Sequence, residues 1–346
     1  MIKTKLVTLT PMDSFFFGGE QTFGNGDKRN FYAESRFFPQ QTSIIGVLRH
    51  VLFEADQQQN FGKSFMVGKA NDFGWIKSIS PVFIHSKNKT LGIPIRLPKN
   101  QIKEYPVQTK PVPLTQVNFG YGAQEAVVLD DFKEKYGTDK QLLLFDPLIP
   151  FDAVFKEVIK TGIARDRKKH TALEGMFYRQ RLFKMADGYS FGVYVEAEEE
   201  LFEWINQRNM PLGGEKVNFV LRTFDEGAFK IPDDLLRKHI KGEDWIFLVS
   251  DAYVPESIYE YCSLTMADAI SFRNIVTPGA YTANLDLNLI PNSHKRYKSI
   301  KMALLQRGSI LFPKGKDAHT EIIKLLDNQQ LRAIGYNHFY SNFKTK

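Results

Sequence analysis

PMDSFFFGGEQTFGNGDKRNFYAESRFFPQQTSIIGVLRHVLFEA, residues 11–55, holds the transition on which the fold turns. The segment leading into it, Lys3 to Phe17, alternates well enough to be a strand, and Pro11 forbids a helix there. Gly18 to Asn30 is then a loop, because Gly18, Gly19, Gly24, Asn25 and Gly26 all favour turns with positive φ. These glycines make no GxGxxG fingerprint, since Arg29 occupies the last position. Thr42 or Ser43 is expected to cap a helix in which Ile44, Val47, Leu48, Val51, Leu52 and Ala55 recur at helical spacing. The pattern decays at the polar Gln57–Gln59. Strand, glycine loop and capped amphipathic helix, in that order, begin a ferredoxin-like β-α-β unit.

Downstream, the five prolines from Pro94 to Pro113 predict a long connector reaching Gly122. Phe145–Lys160 and Phe177–Val195 read as strands, the second with Phe191, Val193 and Val195 on one face. Between them lies the charged run Arg165, Asp166, Arg167, Lys168, Lys169 and His170, so a projecting hairpin with a basic tip is expected. A helix follows from about Glu198 to Gln207, its acids in the first turn where the helix dipole favours them. Pro211, Gly213 and Gly214 break the pattern, which places a boundary between a first domain, 1–209, and a second, 210–346. The second alternates strands near 216–223, 245–250 and 308–312 with helices near 232–241 and 318–327. The expected fold class is therefore α+β, with two ferredoxin-like domains and a projecting β-hairpin.

Composition limits the functions available. With 346 residues, 43% of them hydrophobic, the chain has material for two cores, and its 29 Phe residues serve packing or base stacking equally well. The single cysteine, Cys262, forms no internal disulfide or CxxC site, which fits a reducing interior. Lys3 and Lys5 have no apolar h-region behind them and no run reaches membrane-span length, so a soluble cytoplasmic protein without membrane contact is expected. Residues 286–346 hold eleven Lys/Arg against four Asp/Glu, equal to the whole net charge of +7, and 161–190 hold seven against three. Two basic, aromatic-rich stretches point to a polyanionic partner.

Catalytic signatures are sparse. None of His50, His85, His170, His239, His294, His319 and His338 stands in metal-ligand spacing, and neither a GxSxG elbow nor a GxxxxGK[ST] loop occurs. No metal, cofactor or catalytic residue is expected. One enzymatic alternative needs no metal: Tyr32, His50 and Lys63 could supply base, acid and phosphate cation for RNA cleavage.

The strings PMDSFFFGGEQTFG and SRFFPQQTSIIGVLR resemble the N-terminal signature of the third RAMP-module subunit of type III-B CRISPR (Cmr) effector complexes. In that family an F-P-x-x-[ST] turn opens a helix reading G-x-[LV]-R, and here Phe38-Pro39, Thr42-Ser43, Gly46 and Arg49 take those places. GIARDRKKHTALEGMFYRQRLF, with Gly162, Ala164, Arg165, Glu174, Gly175, Met176 and Tyr178, is similar to the family's hairpin. PLGGE, with Gly213, Gly214 and Glu215, resembles its L-G-G-E element, and RGSILFPKG, with Gly308, Ser309 and Gly315, its late strand and turn. Gly18-Gly19 stand where the family usually carries an Arg-Asp pair.

The resemblance implies RRM-related RAMP domains, a hairpin that serves as a thumb, and a non-catalytic subunit that binds the 5′ handle of the crRNA. Implied partners are the large polymerase/cyclase-like subunit and the backbone RAMP subunits, with target RNA met only indirectly. On this reading RNA meets Phe17, Gly18 and Phe23 at the strand end and loop, and Gln41, Thr42, Ser43, Gly46 and Arg49 at the first helix. On the hairpin it meets Arg165, Arg167, Lys168, Lys169, His170, Met176 and Tyr178; elsewhere, Gly213, Gly214, Gly308 and Ser309. Helix-start amides, basic side chains and aromatic planes are the groups that hold single-stranded RNA. The alternatives are a metal-free RAMP endoribonuclease that processes guide precursors, and a scaffold whose basic C-terminus meets an acidic protein.

Overall fold

A computed structural model describes residues 1–18, 32–55, 73–86, 88, 91–96, 111–113, 125–127, 142–165, 172–215, 217–225, 227–240, 244–272, 275–276, 297–298 and 302–342. It is a mixed α+β protein whose sheets are mostly antiparallel. The central sheet runs Asn209–Pro211, Asn218–Phe224, Ile2–Pro11, Tyr189–Glu198, Phe83–Ser86, Leu91–Ile95, Leu142–Leu144 and Ile149–Pro150, and Ile76–Ile79 also pairs with Tyr189–Glu198. Alternation drives it: Val7 and Leu9 of the first strand and Phe191, Val193 and Val195 of its neighbour point into the main core. The first helix, Gln41–Ala55, lays Ile44, Ile45, Val47, Leu48, Val51 and Leu52 on that core.

A second sheet is a long hairpin. Phe155–Arg165 pairs with Ala172–Met185 from Phe155↔Met185 out to Ile163↔Phe177, and Tyr32–Glu34 runs parallel along the returning strand. A third sheet, in the C-terminal part, has the order Cys262–Met266, Ile310–Pro313, Ile246–Leu248, Phe339–Ser341, with the helix Lys316–Leu326 nearby burying Ile322 and Leu326.

Several sequence expectations are corrected. The first strand ends at Pro11, and Phe15 and Phe17 reach Phe183 and Arg36 only through isolated bridges. Phe145–Lys160 is not one strand, because the short helix Phe151–Val154 interrupts it. Phe177–Val195 belongs to two strands that turn at Gly188, whose φ of 91° suits a glycine. Asn218–Phe224 lies beyond the boundary expected at residue 209, yet it bonds to Ile2–Pro11 from Leu6↔Phe224 to Pro11↔Phe219. The chain thus passes residue 209 inside one sheet.

Phenylalanine fills the junction of sheet and hairpin. Phe15 and Phe17 lie 4.7 Å apart and face Phe191 and Phe219, while Phe37 stacks on Phe183 at 4.2 Å. Such offset and edge contacts add to burial in water-free cores.

The C-terminal part is locked to the central sheet by polar groups. Arg307 and Asp251 are 4% and 7% exposed and join at 3.1 Å (Nη2···Oδ2). Arg307 Nη1 also donates to the Val82 carbonyl at 3.0 Å, and its guanidinium lies 4.8 Å from the Phe38 ring. Removing one partner of a buried pair strands a charge, at about 3–5 kcal/mol, whereas replacing both by apolar residues is often neutral. Asp251→Asn should therefore lower unfolding stability by about 3 kcal/mol or more, and Asp251→Leu with Arg307→Met should recover most of it, as read by denaturant unfolding.

Candidate functional site

Phe16 turns away from Phe15 and Phe17 and packs on Ala33 and Leu182 at the base of the hairpin. Its carbonyl accepts the Gly214 N–H at 2.8 Å. Gly213 sits at φ 92°, and a Cβ there would lie 2.5 Å from the same carbonyl oxygen, so only glycine lets the two backbones meet. Gln180 of the returning hairpin strand donates to Glu215 at 2.8 Å. The Gly213–Glu215 loop, the strand end at Gly18 and the hairpin are thereby held side by side, with Gly18, Gly213 and Gly214 exposed.

Further out, Tyr178 lies across Gly162: a Cβ on Gly162 would come within 2.2 Å of the ring. Strand alternation puts Lys160, Gly162, Tyr178 and Gln180 on the same hairpin face. Lys160 and Tyr178 are exposed there, a cation beside an aromatic plane at the edge of an open glycine surface. That combination accepts phosphate and an unstacked base. Lys160 was not singled out from the sequence; only the register Lys160↔Gln180 brings it beside Tyr178.

The first helix divides the expected residues. It starts at Gln41, and the Gln40 carbonyl accepts the N–H groups of Ser43 and Ile44, so Thr42 and Ser43 lie in the first turn instead of capping it. Gln41 is fully buried and donates to the Gly335 carbonyl at 2.8 Å, which commits it to holding the C-terminal part and corrects its assignment to RNA. Thr42 lies against Tyr336, whose buried phenol is held protonated well above its usual range, chiefly by desolvation. Ser43 and Gly46 are exposed, and a Cβ on Gly46 would meet nothing within 4 Å. Arg49, six positions after Ser43, is rotated by about 240° from it, and its guanidinium lies 5.8 Å from the Phe73 ring. It continues the Ser43–Gly46 row, because Gly46 and Arg49 are three positions apart and therefore neighbours on the helix surface.

His50 Nε2 is 3.3 Å from Glu54 on the exposed side of that helix, Tyr32 pairs with Arg179 along the hairpin, and Lys63 is outside the described residues. Gly308 and Ser309 are buried: the Gly308 N–H donates to Leu248 at 2.7 Å and the Ser309 hydroxyl to Gln306 at 2.5 Å. With φ 82° and a Cβ position 2.7 Å from the Pro94 carbonyl, Gly308 serves close packing of two strand ends, which corrects its placement at an RNA surface. Arg165 and Met176 belong to the hairpin strands; Phe23 and the tip residues Arg167, Lys168, Lys169 and His170 are outside the described residues.

Among the described residues no three His, Cys, Asp or Glu side chains gather to hold a metal, and no helix is long and apolar enough to cross a membrane. Arg181 is clamped by Glu157 and Glu34 at 2.5 and 2.6 Å, which raises its guanidinium pKa further and keeps it charged.

The family described as CRISPR-associated protein (Cas_Cmr3) matches residues 7–341. The chain belongs to that family. It is thus a RAMP-module subunit of the type III-B Cmr kind, a component of a type III CRISPR effector. Among solved structures it is similar to a chain of the type III-B Cmr-beta complex bound to cognate target RNA, seen by cryo-EM. The two are 16% identical over 97% of this chain and 96% of that one, with a TM-score of 0.55. A second Cmr-beta structure, with cognate target RNA and AMPPnP, gives 16% identity, coverage of 98% and 97%, and a TM-score of 0.53. At that identity the likeness is one of fold. No curated protein matches the chain.

Two glycine substitutions separate packing from exposure. Gly46→Ala should stabilise the protein by about 1 kcal/mol, the helix-propensity difference, because nothing opposes the added methyl. Gly213→Ala should destabilise it by about 1–3 kcal/mol through the strained φ and the Phe16 carbonyl. Thermal melting of both variants beside the parent checks the opposite signs.

Proposed function

We propose that the chain is a non-catalytic subunit that holds the 5′ handle of the crRNA and pairs with the large polymerase/cyclase-like subunit, next to the backbone RAMP subunits. The observation that supports it best is the exposed face on which Gly18, Gly213 and Gly214 adjoin the hairpin bearing Lys160 and Tyr178. Glycines without side chains admit a ribose-phosphate backbone close to their amides, the tyrosine offers a stacking plane and the lysine neutralises phosphate. In this reading the central sheet and the C-terminal sheet are the two ferredoxin-like RAMP modules, and the hairpin is the thumb. Gly46, exposed and unneeded by packing, admits RNA against the first helix; its replacement by Ala should weaken handle binding while raising stability.

Binding of labelled handle RNA tests the proposal. Tyr178→Ala should lower the melting temperature only modestly, through loss of the ring's contact with Gly162, and reduce affinity about 5- to 150-fold, the loss of one stacked base. Replacing Arg165, Arg167, Lys168 and Lys169 by Ser should lower the slope of log K against log salt by about 2 if three of them meet phosphate. Unchanged affinity in both variants would remove the handle from this surface. Repeat-RNA cleavage that persists in EDTA and is lost in His50→Ala would replace the proposal with the metal-free endoribonuclease.

A further inference from the structure

The hairpin has a second face. Alternation along Phe155–Arg165 sends Phe155, Glu157, Ile159, Thr161 and Ile163 away from the side that carries Lys160 and Tyr178. Ile159 and Ile163 are 49% and 46% exposed, far more than packed isoleucines of this core. At the base of the same face the strand leads into an open cavity of about 650 Å³ lined by Phe37, Phe151, Phe155 and Phe183.

Charge distinguishes the two sides. Arg181, opposite Ile159, is held between Glu34 and Glu157, and Lys156 donates to the Asp152 carbonyl at 3.0 Å. The cavity lining sets Lys156 and Arg181 against Asp152 and Glu157, and the exposed Arg179 beyond it is matched by Glu34, so this side is formally neutral. A base entering the aromatic cavity would therefore find no net positive charge for its phosphate. An aliphatic or aromatic protein side chain needs no such charge to fill the same cavity, and covering Ile159 and Ile163 removes apolar surface from water.

We infer that this face of the hairpin is a protein-docking strip, occupied by a neighbouring subunit of the effector that inserts an apolar side chain into the Phe37–Phe151–Phe183 cavity and covers Ile159 and Ile163. The hairpin then works on both sides, with protein on one face and RNA on the other. The inference needs only membership of the effector; the RNA face rests on the function proposed above.

The test uses the assembled complex purified from its host, with a benzophenone amino acid placed singly at Ile159, Ile163, Lys160 or Tyr178. Irradiation should give protein–protein adducts from positions 159 and 163 and RNA adducts from 160 and 178. RNA adducts from 159 or 163, or no adduct there while 160 or 178 reacts, would overturn the docking strip. Protein adducts at 159 and 163 with no RNA adduct at 160 or 178 would keep the strip and remove the handle from the other face. Ile159→Ser with Ile163→Ser should leave the melting temperature and handle affinity of the isolated chain unchanged while lowering its affinity for the rest of the complex at least tenfold. Undiminished assembly of that variant would also overturn the proposal.

Discussion

The Arg307–Asp251 pair fixes how the two halves of the chain meet. Asp251 Oδ1 accepts both the Arg307 N–H at 2.9 Å and its Nε at 3.3 Å, and the Asn337 N–H donates to the Asp251 carbonyl at 3.1 Å. The bonds to the Asp251 carboxylate hold charges that have been stripped of water, so the geometry tolerates few alternatives. Because Arg307 also reaches Val82 and Phe38, the pair sets the position of the central sheet and of the turn that precedes the first helix. Gln41 on Gly335, and Ile79 bridging Ile334, complete the seam.

That seam bears on function through the first helix. Phe38 lies under Arg307, Gln41 is anchored in the C-terminal part, and Thr42 rests on Tyr336. The exposed Ser43 and Gly46 are therefore carried by residues that both halves of the chain hold in place. The glycine loop at Gly213–Gly214 is seated in the same manner, by contact of backbone with backbone at Phe16. Rigid framing of a surface is what lets weak individual contacts to a flexible strand add up, since little ordering remains to be done on binding.

Much of the local structure was legible. The apolar spacing from Ile44 to Leu52 gave the first helix, the acids of Glu199–Glu200 its shorter counterpart at Glu199–Ile205, and the alternation of Phe191, Val193 and Val195 a core strand. The interruption at Phe151–Val154 was not legible, because four residues are too few to show a helical period. Nor was the membership of Asn218–Phe224 in the first sheet: glycines and a proline mark a turn, and a turn looks the same whether the chain leaves a domain or returns to it.

For the candidate site, the sequence by itself determined which residue types were available: a glycine pair after Pro211, a tyrosine on a hairpin strand, and a helix-opening turn with Ser43 and Gly46. Each follows from local chemistry, since backbone freedom, stacking and helix entry are properties of neighbouring residues. Tertiary structure alone decided which of them face outward. Gln41, Gly308 and Ser309 are buried by contacts with Gly335, Pro94, Leu248 and Gln306, the first two linking segments far apart in the chain, whereas Gly18, Ser43, Gly46 and Tyr178 remain exposed. The same holds for the two faces of the hairpin. Strand alternation separates Lys160 from Ile159, but the carboxylate of Glu34 that helps neutralise one side arrives from a strand more than a hundred residues earlier, and only long-range packing can place it there.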